Sequence, residues 1–85
     1  MTVHYISADW CGPCKMFKPV LQQVSNEMGI PVNYVNADYD VTVTEKYKVT
    51  SIPTIIITGV DGSEWFRHTG AMSAQQLRDT FNRFR

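Results

Sequence analysis

The sequence lacks an excess of charge of either sign, because its eight lysine and arginine residues are matched by eight aspartates and glutamates. It also contains no cluster of basic residues that would favour binding to nucleic acid or to an anionic membrane. Its longest apolar run, around residues 55–57, is far shorter than the roughly 20 residues that a membrane-spanning helix needs. We therefore expect neither nucleic acid nor a membrane as a partner.

Cysteine is scarce, and the only two cysteines, Cys11 and Cys14, lie three positions apart. A single pair cannot provide the several disulfides that hold small secreted proteins together, and a zinc site usually requires four ligands. His4 and His68 would complete a metal site only if the fold happened to bring them to the pair. A metal site and two inert core cysteines remain as alternatives, but the pair chiefly indicates thiol chemistry.

The first ten residues, MTVHYISADW, lack the charged segment, the long apolar segment and the cleavage site of a secretory signal peptide. Together with the initial methionine, this predicts a cytoplasmic location. The composition is that of a folded protein, with 44% apolar and 12% aromatic residues. A chain of 85 residues is long enough for one domain, so we expect a single, monomeric domain over residues 1–85.

Hydrophobic periodicity predicts strands and helices in the order β-α-β-α-β-β-α. The predicted strands cover residues 3–8, 32–37, 53–58 and 64–68; the predicted helices cover residues 13–28 and 41–47 and begin again after a capping box at residues 73–76. A strand–helix–strand start implies parallel pairing through a right-handed crossover, and the turn at Gly62 implies a hairpin. We therefore expect an α/β fold with a four-stranded mixed sheet, helices on both faces and the third strand in the centre. The apolar face of the first helix contains Met16, Phe17, Val20, Leu21, Val24 and Met28.

The cysteine pair lies at the predicted junction between the first strand and the first helix. Unpaired backbone N–H groups and the positive end of the helix dipole favour an anion at this position. We therefore expect Cys11 to form a thiolate readily and to attack a target disulfide. Cys14, one turn into the helix, would then resolve the mixed disulfide and leave an internal disulfide with a reduced target.

The motif Trp10-Cys11-Gly12-Pro13-Cys14-Lys15 resembles the active site of the thioredoxin family. Pro19 matches the family's mid-helix proline, and residues 52–54 (Ile-Pro-Thr) look like its cis-proline loop. Gly62 and the Gly-Ala pair at residues 70–71 match its later glycine turns. The resemblance implies a minimal thioredoxin-like fold with a cis bond before Pro53. The family's first strand and helix have no counterpart here, so we expect a streamlined source such as a phage genome.

The resemblance also implies the activity and its partners. It implies a thiol–disulfide oxidoreductase that reduces protein disulfides without a cofactor other than the Cys11–Cys14 disulfide. Electrons would come from NADPH through a flavoprotein such as thioredoxin reductase, and ribonucleotide reductase is a candidate acceptor. An extended target segment would pair with the backbone of Ile52. The implied substrate groove is formed by Trp10, Gly12, Pro13, Ile52, Pro53, Gly70 and Ala71.

Three positions depart from the family pattern. Tyr5 stands where thioredoxins generally have a buried aspartate, and Tyr34 stands where they have the lysine that pairs with it; Ser7 replaces a common tryptophan. A tyrosine is a poor base at neutral pH because its pKa is about 10. We predict that Tyr5 and Tyr34 lie side by side beneath the motif with their hydroxyls close to each other or to a water, so that Cys14 loses its proton to solvent or to the departing thiolate. The alternative is that both tyrosines merely fill the core.

Two other functions remain open from the sequence. A glutaredoxin-like protein recycled by glutathione would fit the small size, and a structural subunit would use the fold without the thiols. We expect Asp9 and Lys15, which flank the motif, to tune Cys11 only slightly. The acidic stretch at residues 38–40 is expected to be a solvated loop.

Overall fold

The computed structural model describes all residues from Met1 to Arg85. It confirms the predicted order of elements, and the predicted bounds of the strands and of the first two helices differ from it by at most one residue. The strands are β1 (Thr2–Ser7), β2 (Val32–Asn36), β3 (Thr54–Thr58) and β4 (Glu64–Thr69), and the helices are α1 (Gly12–Met28), α2 (Val41–Lys46) and α3 (Ala74–Phe84). None of these helices is long and apolar enough to cross a membrane.

The four strands form one mixed sheet in the order β2-β1-β3-β4. Strand β1 runs parallel to β2, with Tyr5 opposite Tyr34, and β3 runs antiparallel to both of its neighbours. All five residues of β3 are buried, which is expected for an apolar strand inside a sheet that is covered on both faces. The predicted mixed sheet with a central third strand is therefore confirmed.

The two faces of the sheet carry cores of different size. One face holds a cluster to which β1, β3, α1 and α3 contribute, and its largest residues include Tyr5, Phe17 and Phe81. The other face holds only Ile6, Val35 and Ile56, with partly buried residues from α2 and the following loop against them. Burial of one large apolar side chain contributes about 1.5–3 kcal/mol, so the α1–α3 face supplies most of the stability. It also anchors α1, which carries the cysteines.

Helix α1 begins and ends where its local sequence favours it. The Cys11 side chain caps its first turn, where Pro13 requires no backbone donor. Gly29 ends the helix in the left-handed conformation, with φ at 65°, and its amide donates to the carbonyl of Asn26. Helix α1 starts after a loop of four residues that follows β1, so the cysteine pair lies beyond the carboxyl end of this inner strand.

Candidate redox site

The two cysteines form a disulfide that closes the first turn of α1. Their Cα atoms are 5.2 Å apart, within the usual range for a bridged pair. The backbone N–H of Cys14 donates to Sγ of Cys11 at 3.2 Å, so this sulfur is the N-cap group of the helix. Both cysteines are buried among Ala8 and the partly buried Ile52. The chain has no other cysteine with which either could pair.

The electrostatic setting favours a thiolate at Cys11 once the disulfide is reduced. The sulfur lies at the positive end of a 17-residue helix, within reach of a backbone N–H donor. The first turn of α1 contains no acidic residue that would oppose a negative charge there. A helix N-terminus with these features lowers the pKa of a cysteine thiol. The site can therefore supply a nucleophilic sulfur at neutral pH.

Three loops come together around the disulfide. The first is residues 8–11 before α1, the second is residues 47–53 before β3, and the third is residues 70–73 before α3. Ile52, in the second loop, packs against the cluster of Ala8, Cys11 and Cys14. Its peptide bond to Pro53 is cis, the isomer that the resemblance implies. The third loop is tied to the second because the N–H of Gly70 donates to the carbonyl of Pro53 at 2.8 Å. Gly70 has a φ of 100°, which favours glycine at that position. The exposed residues of these loops and of the start of α1 include Gly12, Pro13 and Ala71.

Trp10 is held by a contact that the sequence did not suggest. Its indole Nε1–H donates to Oδ2 of Asp38 at 2.9 Å, although 70% of the side chain stays exposed. Asp38 is fixed in turn, since its N–H donates to Oδ1 of Asn36 at 2.9 Å. Residues 38–40 are exposed and lie outside the helices and strands, as expected of a solvated loop, but the bond from Trp10 to Asp38 was not predicted. Trp10 and Asp38 are 28 positions apart, and no local pattern links them.

An apolar cavity of about 280 Å³ opens on one side of the disulfide. It lies between α1 and the loop before α3. Met16 is 80% exposed at its rim, so the prediction that this residue belongs to the buried face of the helix was wrong. Two residues of the expected groove, Pro13 and Ala71, line this cavity, and Met16 and Met72 were not expected in it. The full lining is Pro13, Met16, Phe17, Val20, Ala71 and Met72.

A smaller cavity of about 100 Å³ lies beside Cys14, and most of its lining residues are polar. Ser7, at the position where the family commonly has tryptophan, lines this cavity. A small side chain at this position leaves space that a large aromatic ring would occupy. The lining residues are Ser7, Ala8, Asp9, Cys14, Lys15 and Lys18.

The two tyrosines are neighbours, as predicted, with ring centroids 6.0 Å apart in an edge-to-face arrangement. The hydroxyl of Tyr5, however, donates to the backbone carbonyl of Cys14 at 2.7 Å, a partner that differs from the predicted one. Burial raises the pKa of Tyr5 to about 12, with a smaller contribution from Tyr34. Tyr34 is 41% exposed on the edge strand and does not fill the core. Tyr5 is therefore a hydrogen-bond donor beneath Cys14 and cannot serve as a base at neutral pH.

The histidines that might have completed a metal site are not gathered at the cysteines. His4 is hydrogen-bonded through both ring nitrogens, to the Thr58 hydroxyl and to the Asn33 amide, each at 3.1 Å. Burial lowers the pKa of His4, and the charge of Lys46 adds to this shift. No group of three or more His, Cys, Asp and Glu side chains is arranged to hold a metal ion.

The sequence model of the thioredoxin family matches residues 1–83. The chain belongs to the thioredoxin family. Among its relatives, the thioredoxin of Chlamydia pneumoniae is 35% identical over 77 residues, which cover 89% of this chain and 74% of that protein. The thioredoxin of Bacillus subtilis is 37% identical over 78 residues, with the same two coverages. The X-ray structure of Fasciola hepatica thioredoxin superposes with a TM-score of 0.88 at 32% identity, and covers 99% of this chain and 80% of that one.

Membership of the thioredoxin family confirms the fold and the class of activity that the motif indicated. The family consists of protein thiol–disulfide oxidoreductases whose redox group is their own cysteine pair, without a prosthetic group. The Cys11–Cys14 disulfide occupies the place of that pair in this chain.

Proposed function

We propose that this thioredoxin-family chain reduces disulfide bonds in target proteins, with Cys11 as the attacking thiolate and Cys14 as the resolving thiol. The observation that carries the proposal is the position of Cys11 Sγ as the N-cap group of α1, bonded to Cys14 and close to its N–H. A sulfur in this position is stabilised as an anion and is a good leaving and attacking group. Gly and Pro between the cysteines match the reductants of the family more closely than its oxidases, which usually carry histidine there.

The proposed cycle has two exchange steps. The Cys11 thiolate attacks one sulfur of a target disulfide, so that a Cys11–target bond forms and the second target sulfur leaves as a thiolate. Cys14 then attacks Cys11, the Cys11–target bond breaks, and the Cys11–Cys14 disulfide forms as the target leaves with its second thiol. The electron pair that reduces the target comes from the dithiol, so the protein must be reduced again by an external donor.

We assign target binding to a groove made by the loops that meet at the disulfide. The backbone N–H and C=O of Ile52 have no hydrogen-bond partner within the chain, which leaves them free to pair with an extended target segment. The exposed ring of Trp10 and the apolar cavity provide contact area on either side of that segment. In this proposal the groove comprises Trp10, Gly12, Pro13, Ile52, Pro53, Gly70 and Ala71, with Tyr5 and Tyr34 behind it.

We assign the supply of electrons to NADPH through a flavoprotein of the thioredoxin reductase type. Ribonucleotide reductase is one candidate acceptor, since a reductant with few specific contacts beyond the groove can serve several targets. The protein would act as a monomer in the cytoplasm, where thiols are kept reduced and a dithiol reductant can turn over.

The test is the reduction of insulin disulfides with three electron sources in parallel: NADPH with thioredoxin reductase, NADPH with glutathione and glutathione reductase, and dithiothreitol. Turnover with the flavoprotein supports the proposal in full. Turnover with glutathione alone would assign the protein to a glutaredoxin-like role. Because reductases can be selective for their own thioredoxins, dithiothreitol shows whether the cysteine pair is competent by itself. Absence of turnover with all three would overturn the proposal.

A further inference from the structure

The polar cavity of about 100 Å³ gives solvent access to the more deeply buried cysteine. Cys14 is only 2% exposed and forms part of the inner wall together with the buried Ala8. Asp9, Lys15 and Lys18, which also line the cavity, are exposed. A polar cavity of this size holds several water molecules. Water can therefore reach Cys14 from the side that lies away from the apolar cavity.

Lys18 is positioned to act on Cys14 across this cavity. It follows Cys14 by four residues on α1, so the two side chains lie on the same helix face. Side chains of a helix lean towards its N-terminus, which directs the Lys18 stem back towards Cys14. Lys18 lines the cavity, and its Nζ atom lies 5.3 Å from the centroid of the Tyr34 ring on β2. Neither of the two ion pairs in the structure involves Lys18, so no carboxylate neutralises its charge.

The groups that face Cys14 from the other elements do not include a base of suitable strength. Beneath it, Tyr5 is protonated at neutral pH because burial raises its pKa to about 12, and burial also raises the pKa of Tyr34 on β2. Ile52 covers it from the second loop without a charge. The charged side chains that share a cavity with Cys14 are two lysines and one aspartate: Lys15, Lys18 and Asp9.

We propose that Lys18 stabilises the thiolate form of Cys14 during the resolving step, and that water in the polar cavity carries the Cys14 proton to solvent. This inference rests on the proposed function, since it describes the second of the two exchange steps. Cys14 gives its proton to water, and its thiolate attacks Cys11. The Cys11–target bond then breaks as the Cys11–Cys14 bond forms. The target leaves as a thiolate and takes up a proton from solvent, so that atoms and charge balance.

The sign of the charge effects separates this proposal from general-base catalysis by Asp9. An ammonium group near a thiol favours its ionisation, and a carboxylate opposes it. If Lys18 acts through its charge, its removal slows the resolving step, and removal of the Asp9 charge accelerates it. If Asp9 were instead a proton acceptor, its removal would slow the step. Both effects should weaken as salt is added, since the charges are exposed to solvent.

The experiment follows the two exchange steps separately in the reduced protein. An equal concentration of the aromatic disulfide dithiobis(nitrobenzoate) releases one coloured thiolate when Cys11 attacks it. A second thiolate is released when Cys14 resolves the mixed disulfide. Stopped-flow absorbance at low salt gives both rates as a function of pH. The first phase reports the proposed function and the second phase reports the present inference.

We expect Lys18→Gln to slow the second phase several-fold at neutral pH and to move its pH profile upward, with the first phase nearly unchanged. Lys18→Arg should keep the wild-type profile because it keeps the charge. Asp9→Asn should accelerate the second phase and move its profile downward. Ser7→Trp should slow the second phase by filling the cavity. Lys48→Gln, which removes an exposed charge outside the cavity, is the matched control and should change neither phase.

The inference is overturned if Lys18→Gln leaves the rate and the pH profile of the second phase unaltered, or if Asp9→Asn slows that phase. In either case a normal first phase would leave the proposed function standing. A missing first phase in the wild-type protein would instead overturn both. Circular dichroism of each variant establishes that it is folded before its kinetics are interpreted.

Discussion

The two cavities that flank the Cys11–Cys14 disulfide differ in size and in chemistry. One is an apolar space of about 280 Å³ between α1 and the loop before α3. The other is a space of about 100 Å³ that contains two lysines and an aspartate. The apolar cavity begins at Pro13, between the two cysteines, and suits a target polypeptide; the charged cavity is lined by Cys14 and suits proton transfer. We infer that the first serves target binding and the second serves the resolving cysteine.

The periodicity of α1 produces this division. Pro13, Met16 and Val20 lie on one side of the helix, towards the apolar cavity, and Cys14 and Lys18 lie on another. The last residue of β1, Ser7, and the buried Ala8 that follows the strand then line the polar side. A single helix therefore gives the two sulfurs different surroundings although they are only three residues apart.

The largest expected effect comes from separating the two cysteines by mutation. Cys11→Ser should reduce insulin reduction to the uncatalysed level, because Cys14 is more deeply buried and does not hold the N-cap position that activates Cys11. Cys14→Ser should keep the attack but lose the resolving step, so that a target–Cys11 mixed disulfide accumulates. Non-reducing gels and peptide mass analysis measure the amount of this mixed disulfide. A Cys11→Ser variant that captures protein targets through Cys14 would contradict the different roles assigned to the two cysteines.

A charge on the apolar side should weaken target binding with a smaller effect on chemistry. Ala71→Asp puts a carboxylate at the edge of the apolar cavity, and burial of that charge against a target is unfavourable. We expect the KM for a protein target to rise about tenfold, which corresponds to roughly 1.4 kcal/mol, with a much smaller change in kcat. Val60→Asp, at a fully exposed residue in the turn between β3 and β4, is the matched control. Equal effects of the two variants would argue against the assigned groove.

The hydrogen bond beneath Cys14 should matter for stability more than for proton transfer. Tyr5→Phe removes the donor to the Cys14 carbonyl, and we expect it to lower the free energy of unfolding of the oxidised protein by about 1 kcal/mol. Urea denaturation measures this, with the more exposed Tyr34→Phe as a variant of smaller effect. Because the pKa of Tyr5 is about 12, the pH profile of both exchange phases between pH 6 and 8 should stay the same. A shifted profile would show that the hydroxyl takes part in proton transfer.

The smallest expected effect concerns pH dependence that arises away from both cavities. Burial lowers the pKa of His4 from its ordinary value of 6.5, with a further contribution from Lys46. Between the lowered pKa of His4 in the folded protein and its ordinary value in the unfolded chain, the unfolded chain binds more protons. The free energy of unfolding should therefore fall as pH is lowered through this range. His4→Gln should remove this part of the slope and leave both exchange phases unchanged. Denaturation at several pH values measures it, and an unaltered slope would contradict the assignment.

Much of the fold could be predicted from the sequence because it depends on local patterns. The alternation of apolar residues identified the strands, and the capping box at Ser73 with Gln76 marks the start of α3. The apolar run at residues 54–58 correctly indicated an inner strand. The cysteine motif at a strand–helix junction placed Cys11 at a helix N-terminus, where its chemistry follows from backbone geometry alone.

The features that the sequence missed depend on distances across the fold. The bond from Trp10 to Asp38 joins residues 28 positions apart, and the bond from Tyr5 to the Cys14 carbonyl requires the exact height of α1 above the sheet. Met16 has the periodicity of a core residue, yet it is exposed at the apolar cavity, whereas the neighbouring Phe17 is buried. The apolar cavity could not be predicted either, since it lies between α1 and residues 71–72, which are distant in the chain. The polar cavity is lined by residues 7–18 alone, but its volume depends on how α1 packs beside the end of β1.

The most direct test of the account is the rate at which each cysteine of the reduced protein reacts with iodoacetamide over a range of pH, with the modified residue identified by peptide mass analysis. We expect Cys11 to be alkylated first, with an apparent pKa clearly below the value of about 8.5 for a free cysteine. Alkylation of Cys14 before Cys11, or a Cys11 that titrates like free cysteine, would contradict the central claim that the start of α1 makes Cys11 the nucleophile.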